Sequence, residues 1–481
     1  MKYFFFSLLI FASIIAKGQL YYLGDDEVQK GRIDGYLNSK RTMGMVMLDY
    51  AWYYPTPNGN FYQTGGTEKN TKIIKQFAPQ NLPLLNATNR YVYLAYNMNG
   101  NDIKDLARYS PTTGFNLVTT PHSYNSFISI NTIQVPLKQF LVDEIFTTYD
   151  KDAIGIRKFA ENKFSIYIVK DSTDKAEADL IYSSPLNMDN ITTPIDVSTE
   201  IEIFKNDVYW NGREKPTGVY ETTINIFKQK VTNPRQYEFK TNFRLLTNKV
   251  FPYFRFLRTD KNIYGLFKKE DSTTGAYTHS LFLYKEKTIQ RVKQNLIPQT
   301  TDFDTQKIDN DIYVSCKGYL LKFDEAKSKF ITIIYDESAT TGWDDVQKNT
   351  RFLKVKDYYL FRKSGKLWVF NAATEATKEL AGEVLPKTLK SSIQYNTYAY
   401  ATSNAFYFTQ RVNDKEVFTK YNPVTETFTP IEFPAFKKQE FDEIKNIYYC
   451  NKAFVFLTSY KGKRDKPVYK MFMYYEELWN K

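Results

Sequence analysis

The feature that most constrains this chain is a recurrence. Aromatic and β-branched runs restart at Ile263, Ile312, Tyr358, Ala405 and Ala453, at intervals of about 49, 46, 47 and 48 residues. An interval held this closely implies one supersecondary unit built repeatedly, not a single unsymmetrical core. Residues 404–431, NAFYFTQRVNDKEVFTKYNPVTETFTPI, show the unit most clearly. Three runs, 405–410, 416–422 and 426–431, carry the β-formers, while Asn413-Asp414 and Asn422-Pro423 supply the breaks. That distribution predicts a meandering antiparallel sheet. Such a sheet cannot bury both faces alone, so copies must stack, and radial repetition of four-stranded blades is the arrangement that suits units of about 40–50 residues. The expected fold is all-β, a β-propeller.

Read in order, unit starts fall at Met45, Tyr91, Phe164, Val208, Ile263, Ile312, Tyr358, Ala405 and Ala453. The first and last need not each form a whole blade, so eight blades are expected, with seven as the next count. Tyr109-Ser110-Pro111-Thr112-Thr113-Gly114 echoes Tyr421-Asn422-Pro423-Val424-Thr425-Glu426 and sets the phase of the repeat. The wide gap between Tyr91 and Phe164 predicts an irregular insertion near 123–160 within one domain, 19–481. Residues 19–23 stand apart as a strand suited to complete the C-terminal blade, which would cover an otherwise unpaired edge.

In the first unit, Phe61-Tyr62 is followed by Gly66-Thr67, Asn70-Thr71 and Ile74. This stretch resembles the Leu-Trp-x-x-Asp-Gly-Thr-x-x-Gly-Thr-x-x-Val repeat of secreted propeller-like proteins from Bacteroidetes-type bacteria. Gly65 stands in place of the family's Asp and Asn70 in place of its Gly. Both residues accept turn geometry. The resemblance implies architecture and carries no activity with it.

Lys2, the apolar run 4–15 and Ala16-Lys17-Gly18 describe a secretory signal peptide over residues 1–18, with cleavage before Gln19. The run is too short to cross about 30 Å of hydrocarbon, and no later segment is long and apolar enough to do so. An exported protein of the periplasm or cell surface is therefore expected. The net charge of +12 is spread along the chain, without the patch or stripe of a nucleic-acid binder. Cys316 and Cys450 lie about three units apart, too distant for a bridge between equivalent blade positions, and are expected as two thiols. With His122 and His279 they are too few for a zinc cluster.

Acidic groups at Asp25-Asp26-Glu27, Asp344-Asp345 and Glu440 with Asp442-Glu443 offer carboxylate pairs, and solvated turn residues account for them better. Arg244, Arg255, Arg258 and Arg351 form no recognisable anion-gripping motif. The Asp302–Asp304 and Asp309–Asp311 groups lack the spacing of a calcium loop. No cofactor or metal is expected. Trp210 with Arg213, and Trp343 with Asp344, each read as lying in a polar, Gly-containing connection, where an exposed indole stacks on a sugar or anchors a protein loop. These four are the candidate binding residues. The chain thus reads as an exported, non-enzymatic propeller recognising an envelope or surface protein, or a glycan. The alternative is a funnel-type hydrolase or lyase acting on glycan or peptide.

Overall fold

A computed structural model describes residues 19–26, 44–77, 84–97 and 104–118, the strands between 127 and 380 with a few of their connections, and most of 399–475. The predicted leader, 1–18, lies outside these residues. Among the described residues are nine four-stranded antiparallel sheets, in which strand order follows the chain as short hairpins dictate. They span 46–76, 84–117, 142–183, 201–246, 253–294, 303–335, 353–379, 399–431 and 440–475. The last takes its fourth strand, Gln19–Asp25, from the N-terminal side of the chain. Each of the nine starts read from the sequence lies in or beside a different sheet, so the first and last starts also carry whole sheets.

The phase differs from the sequence reading. Seven of the runs taken as first strands are second strands, each preceded by another strand, as Tyr358–Lys363 is by Leu353–Val355 and Phe406–Val412 by Ala399–Ala401. Three residues are too few to show a period of two. Phe164 lies in a third strand, Lys163–Lys170. Between the second and third sheets, Phe127–Ile130 and Ile133–Pro136 form a separate two-stranded hairpin.

The chain divides into two compact units. The first comprises Met1–Ala87, Val92–Asn101 and Gly382–Lys481. At its centre is Ala453–Lys461, buried along nearly its whole length because both sides of the sheet are covered. Phe454, Phe456 and Tyr460 pack with Tyr407, Phe418 and Ile431 of the 399–431 sheet. The alternate residues Ala453, Val455 and Leu457 pack with Trp52, Tyr54 and Tyr62 of the 46–76 sheet. A strand between two packed sheets reads as a continuous apolar run, which is why AFVFLTSY shows no polar alternation.

In the second unit, Thr88–Tyr91 with Asp102–Ala381, the same alternation recurs. Ile312, Val314, Leu321 and Phe323 of the 303–335 sheet pack with Leu257, Tyr264 and Leu266. Tyr313, Leu320 and Ile334 pack with Phe352, Tyr359 and Phe361 on the other side.

The third and fourth strands of four sheets are joined by one turn design. A polar side chain accepts a backbone N–H two or three residues on: Ser110 Oγ from Thr113 at 3.1 Å, Asp324 Oδ1 from Lys327 at 3.1 Å, Asn371 Oδ1 from Ala373 at 3.0 Å, and Asn422 Oδ1 from Val424 at 2.9 Å. Four residues after each cap the backbone turns left-handed, at Gly114, Ser328, Glu375 and Glu426, with φ of 68°, 47°, 58° and 55°. A facing aromatic pair closes three of the turns, Tyr109–Phe115, Phe323–Phe330 and Tyr421–Phe428, with centroids 4.7, 5.2 and 4.8 Å apart. Only Gly114 meets this conformation without a Cβ. Replacing Ser328, Glu375 or Glu426 by glycine is expected to raise stability by about 0.5–1 kcal/mol each. Denaturant midpoints check this, and an unchanged triple variant would show that the turns carry no left-handed strain.

Candidate functional site

Two polar centres stand out from the aromatic packing, and both are built from a carboxylate held by a threonine, an asparagine and a tyrosine of a neighbouring sheet. The first lies where Gln19–Asp25 ends. The pairing of this strand with Pro467–Tyr475 shifts register between Tyr22 and Gly24. Gly24, at φ 117°, supplies the positive dihedral of the bulge, and Leu23 drops into the core beside Met45 and Trp52. The kink brings Asp26, only 2% exposed, onto the hairpin of the 46–76 sheet. Its Oδ1 accepts from Asn60 Nδ2 at 2.7 Å, Tyr62 Oη at 2.9 Å and Thr56 Oγ1 at 3.2 Å, while Oδ2 accepts from Asn58 Nδ2 at 2.7 Å. Burial pushes the Asp26 carboxyl up, and these four donors pull it back only in part. Burial also raises Tyr62 and Tyr54, so both phenols stay protonated.

Beside it, Asp25 accepts from Lys470 Nζ at 2.7 Å and from Tyr22 Oη at 2.6 Å, and the buried Lys470 ammonium sits 4.2 Å from the Phe436 ring centroid. The arrangement ties three pieces of chain together and leaves no open face on Asp26. Tyr448 Oη adds a 2.7 Å bond to the Pro55 carbonyl in the same region. Tyr448→Phe is expected to cost about 1–3 kcal/mol, measured by denaturant unfolding, because that buried carbonyl would lose a partner. A loss near zero would show that water or a neighbour replaces it.

The second centre is open. In the 253–294 sheet, the hairpin Thr259–Asn262 closes on a 3.0 Å backbone bond from Thr259 N–H to the Asn262 carbonyl. Glu325 of the next sheet reaches it: Oε1 accepts from Asn262 Nδ2 at 2.5 Å, Tyr264 Oη at 2.8 Å and Thr259 Oγ1 at 2.9 Å. Burial, then the bond to Glu325, raises the Tyr264 phenol and keeps it a donor. A cavity of about 250 Å³ adjoins, lined by Thr259, Asp311, Lys322, Asp324 and Glu325 over Ile312, Phe323 and Ile331. Asp311 Oδ2 is paired with Lys322 at 2.7 Å and Lys354 at 3.6 Å. Asp324 is held below the usual carboxylate range, chiefly by the Lys327 backbone N–H.

Of the sequence-predicted binding residues, two lie among the described residues. Trp210 and Arg213 lie within the strand Asp207–Arg213 and not in a connection: Trp210 pairs with Ile201 and Phe227, and Arg213 with Ile224. The β-forming run Val208-Tyr209-Trp210, with partners on both sides, carries the strand through Asn211-Gly212. Trp343 and Asp344 lie outside the described residues. The reading of Asp25-Asp26 as solvated turn carboxylates is corrected, since Asp26 is enclosed. Among the other acidic groups, Asp442 accepts from Ser459 Oγ at 2.9 Å and Glu443 pairs with Lys445. Among the described residues no group of three or more His, Cys, Asp or Glu side chains is placed to hold a metal ion. Cys450 takes part in no disulfide.

Glu325 and Thr259 were not singled out in the sequence. The signal available was the likeness of Thr259-x-x-Asn262-x-Tyr264 to Thr56-x-x-x-Asn60-x-Tyr62.

Repeated four-stranded meanders, the last completed by the N-terminal strand, define the class as a β-propeller. No protein-family model and no curated protein matches the chain. Among solved structures, the dipeptidyl peptidase 4 of Porphyromonas gingivalis is similar over 90% of this chain and 67% of its own, at 8% identity and a TM-score of 0.47. The β-propeller domain of the Trilobed protease from Pyrococcus furiosus matches over 81% and 93%, at 10% identity and a TM-score of 0.35. A prolyl endopeptidase matches over 81% of this chain at 10% identity and a TM-score of 0.38, and the chain spans about half of that enzyme, 53%. At such identities the likeness is one of fold alone. Among the described residues no helix is long and apolar enough to cross a membrane.

Proposed function

We propose that this chain is an exported recognition propeller, non-enzymatic, that binds a protein or glycan at the cell envelope through the cleft between the 253–294 and 303–335 sheets. The observation that carries this reading is the commitment of the cleft's polar groups. Glu325 Oε1 already accepts three hydrogen bonds and Asp311 two lysines, which fixes them as a rigid polar lining. At about 250 Å³ the cavity is smaller than the roughly 300–1,000 Å³ of sites that engulf a small molecule. It suits one protruding group of a larger ligand.

The second reading is a propeller serving hydrolase or lyase chemistry on glycan or peptide. Two carboxylates, Asp324 and Glu325, lining one cavity favour it. The peptidases among the structures of similar fold keep that reading in view, although the likeness extends to fold only. Glycan-array and peptide-library binding, with product analysis of whatever binds, separates the two. Ile331→Trp, which fills the cleft, is expected to weaken binding at least tenfold with the melting temperature unchanged. Binding indifferent to that substitution would sink the cleft as the site. Turnover of the bound ligand would favour the second reading.

A further inference from the structure

We infer that the outer edge of the 303–335 sheet is a self-association surface, on which the strand Lys329–Tyr335 pairs antiparallel with the same strand of a second copy of this chain. The observation that carries this is a missing safeguard. In a propeller the fourth strand of each sheet is the outer one, and one row of its backbone N–H and C=O groups has no ladder partner. Such edges are protected by charges within the strand, by proline or by brevity. Eight of the nine described four-stranded sheets end, in chain order, on a strand of this kind.

Seven of the eight carry a safeguard. Thr71–Gln76 holds Lys72 and Lys75, Ala178–Ser183 holds Asp179, Tyr237–Leu246 holds Lys240, and Thr288–Gln294 holds Arg291. Gly114–Leu117 and Ala376–Glu379 are four residues long, and Thr427–Ile431 contains Pro430. Lys329–Tyr335, KFITIIY, is seven residues long and has no charge, proline or glycine after Lys329. Its β-branched and aromatic composition is that of a strand that pairs readily. A register shift leaves Ile333 as a bulge, but the same device recurs at Ile74, Ile181, Lys240 and Val292, so it does not set this edge apart.

The charges flanking the run identify the partner. Lys327 and Lys329 stand at its start, and Asp336 and Glu337 follow it in the sequence. A strand basic at one end and acidic at the other is complementary to its own reverse. Antiparallel pairing centred on Thr332 sets Lys327 opposite Glu337 and Lys329 opposite Tyr335, whereas parallel pairing sets like charge against like. Lys327 is 66% exposed and Thr332 is exposed. Tyr335, 53% exposed, stands on Tyr319 with ring centroids 4.5 Å apart, which holds an aromatic face ready for the ammonium of the second copy's Lys329. The contact is isologous and closes at two copies. One strand pair is narrow beside the roughly 1,200 Å² of the smaller firm interfaces, so the dimer is expected to be weak and to form as concentration rises.

Sedimentation velocity of the full chain over a concentration series reads the association. The protein is expected to pass from monomer to dimer and no further. Thr332→Lys puts two like charges at the axis and is expected to weaken the dimer by about tenfold or more with the melting temperature unchanged. Thr377→Lys, on the outer strand Ala376–Glu379, is the control and is expected to leave the dimer unaltered. Charge reversal tests the direction of pairing. Lys327→Glu with Lys329→Glu gives a strand acidic at both ends, and Asp336→Lys with Glu337→Lys gives one basic at both ends. Each variant alone is expected to lose the dimer, and an equimolar mixture of the two to regain it.

A chain that stays monomeric at every concentration overturns the inference, as does a dimer indifferent to Thr332→Lys. Growth past two copies overturns it as well, since the edge would then be an open template and not a closed contact. If either reversal variant dimerises alone as the parent does, or the mixture associates no better than its parts, antiparallel pairing of this strand is wrong.

Discussion

Replacing Asp26 by alanine is expected to unfasten the strand Gln19–Asp25 at a cost of about 3–5 kcal/mol, the range seen when one partner of a buried polar cluster is removed. Four donors, from Thr56, Asn58, Asn60 and Tyr62, would face an empty space in a region closed to water. The strand itself is only partly buried, apart from Leu23, so its docking depends heavily on this anchor. Denaturant unfolding gives the energy, and amide exchange within 19–25 reports the local opening. A loss below about 1 kcal/mol with unchanged protection would show that the four donors find other partners.

The same residue sets a pH slope whose sign is opposite to that of a salt-bridged carboxylate. Burial raises the Asp26 carboxyl above its ordinary value of 3.8, so the folded protein binds a proton there more readily than the unfolded chain does. Its contribution to stability is complete below that ordinary value and is lost as pH rises through the raised one. Mild acid is thus expected to tighten this anchor. The wild-type stability minus that of Asp26→Ala should be larger near pH 4 than near pH 7. The reverse slope would mean that the four donors outweigh burial.

Gly66→Ala carries the second large effect. Gly66 sits at φ 100°, and a Cβ there would overlap the Tyr475 hydroxyl. Overpacking of about 1–3 kcal/mol adds to left-handed strain of about 1–2 kcal/mol, for an expected loss of about 2–5 kcal/mol in denaturant unfolding. Introducing Gly66→Ala into a Tyr475→Ala background should recover the overpacking part and leave the strain, giving a coupling of at least about 1 kcal/mol. No coupling would mean that the tyrosine moves aside freely.

Much of this architecture was legible because strands announce themselves by composition. The runs at Tyr358, Ala405 and Ala453 located their sheets, and the echo of 109–114 in 421–426 marked a turn whose caps and left-handed residues superimpose in kind. Gly66-Thr67 and Asn70-Thr71, read as turn pairs, frame a short 3-10 helix in which Asn70 Oδ1 accepts from Thr67 N–H at 2.8 Å. The short opening strands were hidden, since Leu353–Val355 and Ala399–Ala401 become strands through a partner and not through pattern.

The polar centres were hidden for another reason. Asp26 and its donors are separated by 30 to 36 positions, and Glu325 and its donors by 61 to 66. Nothing local distinguishes such a carboxylate from a solvated one. Trp210 misled for the converse reason, because Asn211-Gly212 suggests a turn until the flanking strands are in place.

The pairing of Gln19–Asp25 with Pro467–Tyr475 also orders events in time. Asp25 and Lys470, joined across that pairing, are 445 positions apart, a contact that no local segment can form early. As the protein is made, the N-terminal strand must wait for the last sheet. Through that interval the Gln19–Asp25 strand, with Leu20, Tyr21 and Tyr22 in its run, lacks its partner and is an open template for any passing strand. Closure is therefore the slow step and the vulnerable one. Conditions that shorten the wait should raise the yield of native protein more than conditions that strengthen any single sheet.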